Sequence, residues 1–312
     1  EGGHSGVTNA DGEYLIRDIP PGKYTCQVEA ENYRPASNEA IEVLAGAEEK
    51  ADFKLELNVG NSLFESHSKI PELGIGLGPS VLTIAVDDRG RILFGDFGGG
   101  LEIWDGASWE SIGMDDGLAQ GVVSSIALGD AGKIWLAHKD FNYASYYDGS
   151  EWHVLTMDDG LASNNVWAVA VDRNDVVWFA HAGAGITSYD GENWRIHTEE
   201  DGLSNNNAYH IAVDHFDHKW FATMKGVSRF DGTQWQTFRV DDGLPSDNVG
   251  CVYVDNSNDI WAGTVGNGVA KWSRNEGQWT TYTTADGLAG DFVSAIVQDH
   301  QGNMWFGTVY NG

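Results

Sequence analysis

An all-β fold, the larger part of it a β-propeller of four-stranded blades, is predicted by three features of the sequence. The tripeptide Asp-Gly-Leu occurs five times, with glycines at Gly117, Gly160, Gly202, Gly243 and Gly287, spaced by 43, 42, 41 and 44 residues. Four short strand-like runs stand in each period. Aromatic residues and glycine turns recur in phase with them, as a radial array of small sheets requires.

The first run of each period alternates apolar residues and ends in an acid: VLTIAVD (81–87), VWAVAVD (166–172), AYHIAVD (208–214), VGCVYVD (249–255) and VSAIVQD (293–299). A turn follows, then a run carrying tryptophan: KIWLAH, VVWFAH, KWFAT, DIWAGT and NMWFGT, with RILFGD in the first copy. The third run ends in an aromatic and a turn (IWDG, YYDG, SYDG, RFDG). The fourth opens shortly after it with Trp109, Trp152, Trp194 or Trp235. Asp-Gly between two such runs is a tight-hairpin signal, because glycine accepts the positive φ the turn demands. In the fifth copy SRNEGQ (273–278) lengthens that turn before Trp279. Asp-Gly-Leu then separates one unit from the next: its Asp and Gly make the crossing turn, and its Leu plugs the seam between sheets.

The copies begin near residue 75, where Gly76-Leu77 stands in for Asp-Gly-Leu. Six are visible over 75–312, and the last stops after its second run. A propeller buries its end faces by closing, so the chain reads as a C-terminally truncated piece of a longer protein. Residues 59–74 are a linker or a closing strand, although NSLFESHSKIPEL matches the fourth run poorly.

The repeats resemble those of the two-component regulator propeller family of bacteria. Gly302-Asn303-Met304-Trp305-Phe306-Gly307-Thr308 and Ser188-Tyr189-Asp190-Gly191-Glu192-Asn193-Trp194 carry the likeness. Residues 1–58 read differently. Asp11-Gly12 and Pro20-Pro21-Gly22 punctuate alternating strands, and KADFKLEL (50–57) places Ala51, Phe53, Leu55 and Leu57 on one face. This segment resembles the later half of a carboxypeptidase regulatory-like domain, a small transthyretin-like β-sandwich, here partial.

Net charge is −29, with 47 acidic against 18 basic residues, a field that repels phosphate backbones and argues against nucleic acid as a partner. Apolar runs are far shorter than the ~18 residues a membrane helix needs, so no membrane contact is expected within this segment. Cys26 and Cys251 sit in strand patterns and read as small buried hydrophobes.

Enzyme signatures fail. There is no G-x-S-x-G, H-E-x-x-H or paired C-x-x-C. GIGLGP (74–79) precedes a strand, and DNSNDIWAGTVG (255–266) lacks the glycine and glutamate of a calcium loop. His215 and His218 in DHFDH have metal-compatible spacing but fall on a turn expected to be solvated. No metal, cofactor or catalytic residue is expected.

Residues shared by all copies hold the blade, so function is sought where copies differ on one face. The stretch after Asp-Gly-Leu and the loop between second and third runs open on the same end. Asn164-Asn165, Asn205-Asn206-Asn207, Asp247-Asn248 and Gly290-Asp291 there either cap turns or ring the mouth of a central channel. After the second run the copies read Asp96, His138, His181, Thr223, Thr264 and Thr308; the first three are titratable, as independent surface positions or as shared chemistry. Trp167 and Tyr209 replace Ser124, Gly250 and Ser294 at matched positions, either packing between blades or stacking on a sugar ring. The remaining tryptophans read as blade core. The candidate ligand-binding residues are Asn165, Trp167, Asn207, Tyr209, Asn248, His138 and His181.

The family likeness implies a non-catalytic, extracytoplasmic (periplasmic or secreted) ligand-sensing or interaction region of a bacterial two-component signalling receptor, with a glycan or protein as ligand. A secreted adhesion or scaffold protein and a lyase-like propeller enzyme, with His138 or His181 acting, are the alternatives.

Overall fold

The structure is a computed structural model and describes residues 22–28, 36–43, 81–97, 100–119, 121–139 and 143–309. The chain divides into two compact units, residues 1–67 and 68–312. In the first, β1 (Gly22–Val28) and β2 (Ala36–Val43) pair antiparallel, with a bulge between Tyr24 and Cys26. The expected strand at 50–57, the segment 59–74, the loop 74–79 and the side chain of Cys26 lie outside the described residues.

The second unit is a β-propeller array. Its first blade comprises β3 (Val81–Val86), β4 (Ile92–Asp96), β5 (Leu101–Trp104) and β6 (Trp109–Ile112). The second holds β7 (Val122–Leu128), β8 (Ile134–Lys139), β9 (Tyr143–Tyr147) and β10 (Trp152–Leu155). The third holds β11 (Val166–Val171), β12 (Val177–His181), β13 (Gly185–Tyr189) and β14 (Trp194–His197). The fourth holds β15 (Ala208–Val213), β16 (Lys219–Thr223), β17 (Gly226–Phe230) and β18 (Trp235–Phe238). The fifth holds β19 (Val249–Val254), β20 (Ile260–Thr264), β21 (Val269–Ser273) and β22 (Gln278–Tyr282). A sixth sheet has two strands, β23 (Val293–Gln298) and β24 (Met304–Thr308). Every sheet is an antiparallel meander in chain order. Blades approach most closely at their first strands, which therefore form the inner wall.

Asp-Gly-Leu is punctuation. The Asp116, Asp159, Asp201, Asp242 and Asp286 carboxylates each accept the backbone N–H three residues earlier. The following glycine is left-handed in all five copies. Leu118, Leu161, Leu203 and Leu244 are buried in the apolar seams. Each seam pairs the second-run aromatic or aliphatic residues of one blade with the first two strands of the next, as Trp178 does with Ile211 and Phe221. Trp135, Trp178, Trp220, Trp261 and Trp279 are core as expected; Trp104, Trp109, Trp152, Trp194, Trp235 and Trp272 are only partly buried, and Trp305 in the last sheet is 61% exposed, which corrects the expectation for these. Leu82, Ile84 and Val86 of β3 are exposed at the other end of the array.

Candidate functional site

The two loop sets do share one end. Gly183, between the second and third strands of blade three, and Gly185, which opens the third, donate their N–H groups to the carbonyl of Asn206, which leads into blade four. Gly226 and Gly268 do the same to Asp247 and Asp291. The side chains of Asn164, Asn206, Asp247 and Asp291 accept the first amide of the preceding turn, from Met157, Glu199, Val240 and Thr284. This half of the polar series is turn capping. Asn165, Asn207 and Asn248 differ: their carbonyls accept from Ala182, Met224 and Val265 at 3.2, 3.1 and 3.0 Å, and their half-buried side chains play no part in that ladder.

A bulge follows immediately. In every blade the pairing of first and second strands slips by one residue near its start, between Val166 and Ala168 in β11 and between Ala208 and His210 in β15. The extra residue is Trp167 or Tyr209. A bulged residue is left unpaired in the ladder, and the local bend re-aims its side chain. Trp167 and Tyr209 thus meet each other across adjacent blades, ring centroids 5.1 Å apart at 46°, both half-buried. Trp167 Nε1 donates to Asn165 Oδ1 at 3.0 Å. Lys139, at the end of β8, holds its ammonium 4.3 Å from the Trp167 ring centroid. Asn207 Nδ2 donates to Asn205 Oδ1 at 3.3 Å. The structure therefore joins Asn165, Trp167 and Tyr209, with Asn207 leading into the Tyr209 bulge; Asn248 occupies the matching place in blade five, where the bulged residue is Gly250. Sequence reasoning missed Lys139, whose only signal was its place one residue after His138.

His138 and His181 do not belong to this mouth. Both are 0% exposed, so the expectation of surface positions is corrected. His181 Nε2 lies 2.8 Å from Thr187 Oγ1 and its Nδ1 3.3 Å from Ser163 Oγ, within its own blade. Neither ring nitrogen of His138 has a hydrogen-bond partner among the described residues. Burial pushes both imidazoles down to about 4, so they are neutral at pH 7. Thr223 and Thr264, at the same position, donate to the carbonyls of Gly226 and Gly268. The position is a fastener between the second and third strands. Its register turns it inward, whatever residue fills it.

The first-to-second-strand turns carry a second polar system. The aspartate ending the first run accepts the indole N–H six residues on: Asp172 from Trp178, Asp214 from Trp220, Asp255 from Trp261 and Asp299 from Trp305, at 2.9–3.1 Å. That spacing was visible in the sequence and went unused. In blade two Gly129 takes the aspartate's place, and Trp135 Nε1 has no hydrogen-bond partner among the described residues. Lys219, 4% exposed, joins Asp172 at 2.8 Å to Asp217 at 2.9 Å, bridging blades three and four. Burial would raise the Asp172 carboxyl, but hydrogen bonds from Lys219 and Trp178 outweigh it and hold the group below the usual range.

The DHFDH turn is not simply solvated, a further correction. His218 Nδ1 lies 3.0 Å from Asp214 Oδ2, which also takes Arg274 at 2.7 Å from the lengthened turn of blade five. Among the described residues, the group with metal-compatible spacing is instead Asp148, Glu151 and His153 in an exposed turn, where Asp148 already accepts from Ser150, Glu151 and His153. Cys251 is buried as expected, its thiol pushed up to about 12 by burial.

Bulged inner strands, indole–aspartate staples and Asp-Gly-Leu crossings together define a repeat propeller. Residues 243–266 and 287–310 match the two component regulator propeller family, and residues 1–56 the carboxypeptidase regulatory-like domain. No curated protein matches the sequence. Among solved structures, the extracellular domain of a putative hybrid two component system from B. thetaiotaomicron is similar with a TM-score of 0.66 and 22% identity, over 73% of this chain and 32% of that one. PorZ, a bacterial surface component of the type-IX secretion system of Porphyromonas gingivalis, gives 0.59 and 16%, over 74% and 38%. A catalytically inactive virginiamycin B lyase from Staphylococcus aureus gives 0.61 and 12%, over 97% and 90%. At these identities the likeness concerns the fold. The chain spans about a third of the first of these structures, 32% of its length. No helix among the described residues is long and apolar enough to cross a membrane.

Proposed function

We propose that the propeller array is a non-catalytic, extracytoplasmic ligand-reading region of a bacterial signalling receptor, and that its ligand docks at the mouth formed by blades two to four. One observation carries this reading. Trp167 and Tyr209, alone among the bulged residues in being aromatic, stand side by side and half-exposed, whereas Leu82, Ser124, Gly250 and Ser294 fill the matching positions. Large rings kept partly in water at a functional end are typical of ring-stacking sites. The hybrid two component likeness supports the receptor setting, and the burial of His138 and His181 supports a non-catalytic role over a lyase-like one.

The test is a tryptophan-fluorescence and calorimetric titration of the chain with an oligosaccharide panel, repeated on Trp167→Ala and Tyr209→Ala. Each substitution is expected to weaken the bound oligosaccharide at least tenfold. A ligand bound equally by both variants would place the site elsewhere.

A further inference from the structure

The donors around Trp167 narrow the chemistry of that ligand, an inference that rests on the mouth being the ligand site. An indole nitrogen only donates, so the Asn165 amide must turn its oxygen toward Trp167 and its Nδ2 away. Among the described residues, nothing accepts from that Nδ2, from the Tyr209 hydroxyl or from the Lys139 ammonium. Lys219 and Lys271 also lie over indoles, but they and Lys133 are each paired with an aspartate, whereas Lys139 meets only an indole among the described residues. A half-exposed aromatic pair is thus edged by unanswered donors, one a full cation, in a chain of net charge −29. At physiological salt, charges beyond ~8 Å are largely screened, so a cation in direct contact with a small ligand outweighs carboxylates farther away than that.

We propose that the mouth recognises an acidic saccharide. The sugar ring packs on the exposed surface of Trp167 and Tyr209, and a ring carboxylate accepts from Lys139 and from Asn165 Nδ2. Charge-assisted bonds of this kind are stronger than neutral ones, which makes the carboxylate the discriminating group.

Two acids, tetragalacturonate and tetramannuronate, and their fully methyl-esterified forms would be titrated calorimetrically into the whole chain, into Lys139→Met and into Trp167→Ala. Methionine keeps an apolar stem beside the indole and removes only the charge. One acid should bind at least tenfold more tightly than its ester. Lys139→Met should bring that acid down to the ester's affinity and leave the ester unchanged, whereas Trp167→Ala should weaken both. Equal binding of acid and ester, both lost in Trp167→Ala, would overturn the acidic preference and leave the mouth as the site. Binding insensitive to Trp167→Ala would overturn both readings. No binding of either acid at millimolar concentration would overturn the acidic preference.

Discussion

Trp167 and Asn165 hold each other: the indole donates to the amide oxygen at 3.0 Å, tying the bulged residue of β11 to the loop that precedes it. One contact therefore fixes both the ring's orientation and the direction of the amide donors. A double-mutant cycle of Asn165→Ala and Trp167→Phe, followed by urea unfolding, should give a coupling of about 1 kcal/mol, the size of a half-exposed neutral hydrogen bond. A coupling near zero would mean that the amide is not held by the indole in solution.

Gly202 and Gly232 separate two demands that glycine meets in this fold. Both are left-handed, with φ of 113° and 99°. A Cβ on Gly202 would lie 2.9 Å from Trp235 Cβ, whereas one on Gly232 would meet nothing within 4 Å. Gly232→Ala should cost only the conformational penalty, about 1 kcal/mol, and Gly202→Ala at least about 2 kcal/mol because the tryptophan must also shift. Equal losses in chemical denaturation would show that packing beneath Trp235 yields without cost.

Lys219 stands between two aspartates from different blades, so removing it strands buried charge. Lys219→Met is expected to destabilise the array by about 3 kcal/mol, and the double variant Lys219→Met, Asp172→Asn by clearly less than the sum of the single changes. Additive losses would show that Asp172 is not paired in solution.

The buried histidines predict a pH dependence. Burial holds His138 and His181 down at about 4, and unfolding returns them to ordinary values near 6.5, so the unfolded chain binds protons that the folded chain refuses. Their contribution is whole above about pH 6.5 and is lost as pH falls towards 4. Between pH 7.5 and 5 each accounts for about 2 kcal/mol. His138→Leu should therefore lose about 2 kcal/mol less than the parent over that interval in paired urea titrations. An unchanged loss would show that His138 is protonated in the folded state.

Much of the architecture was legible because it is written locally and repeated. The Asp-Gly hairpins, the Asp-Gly-Leu crossings and the alternating first runs each need only a few adjacent residues, and several copies in phase remove the ambiguity of any one. The site was half legible. Trp167 and Tyr209 stood out as departures from their counterparts, but the bulge that projects them is a property of strand register, which no single run reveals. Long-range polar contacts left little trace: Arg274 reaches Asp214 from a turn sixty positions away.

By itself the sequence determined the blade period, the turn chemistry and the positions where the copies differ, since strand alternation and glycine's access to positive φ act over a few residues. Only the tertiary structure decided which of the differing residues are buried and which stand partly open between blades. His181 and Trp167 lie at the same end of one blade, yet ladder register buries the imidazole against Thr187, while the bulge lifts the indole out between Lys139 and Tyr209. The physical reason is that a one-residue slip in pairing changes the face a side chain takes, and that slip is set by neighbouring strands and blades.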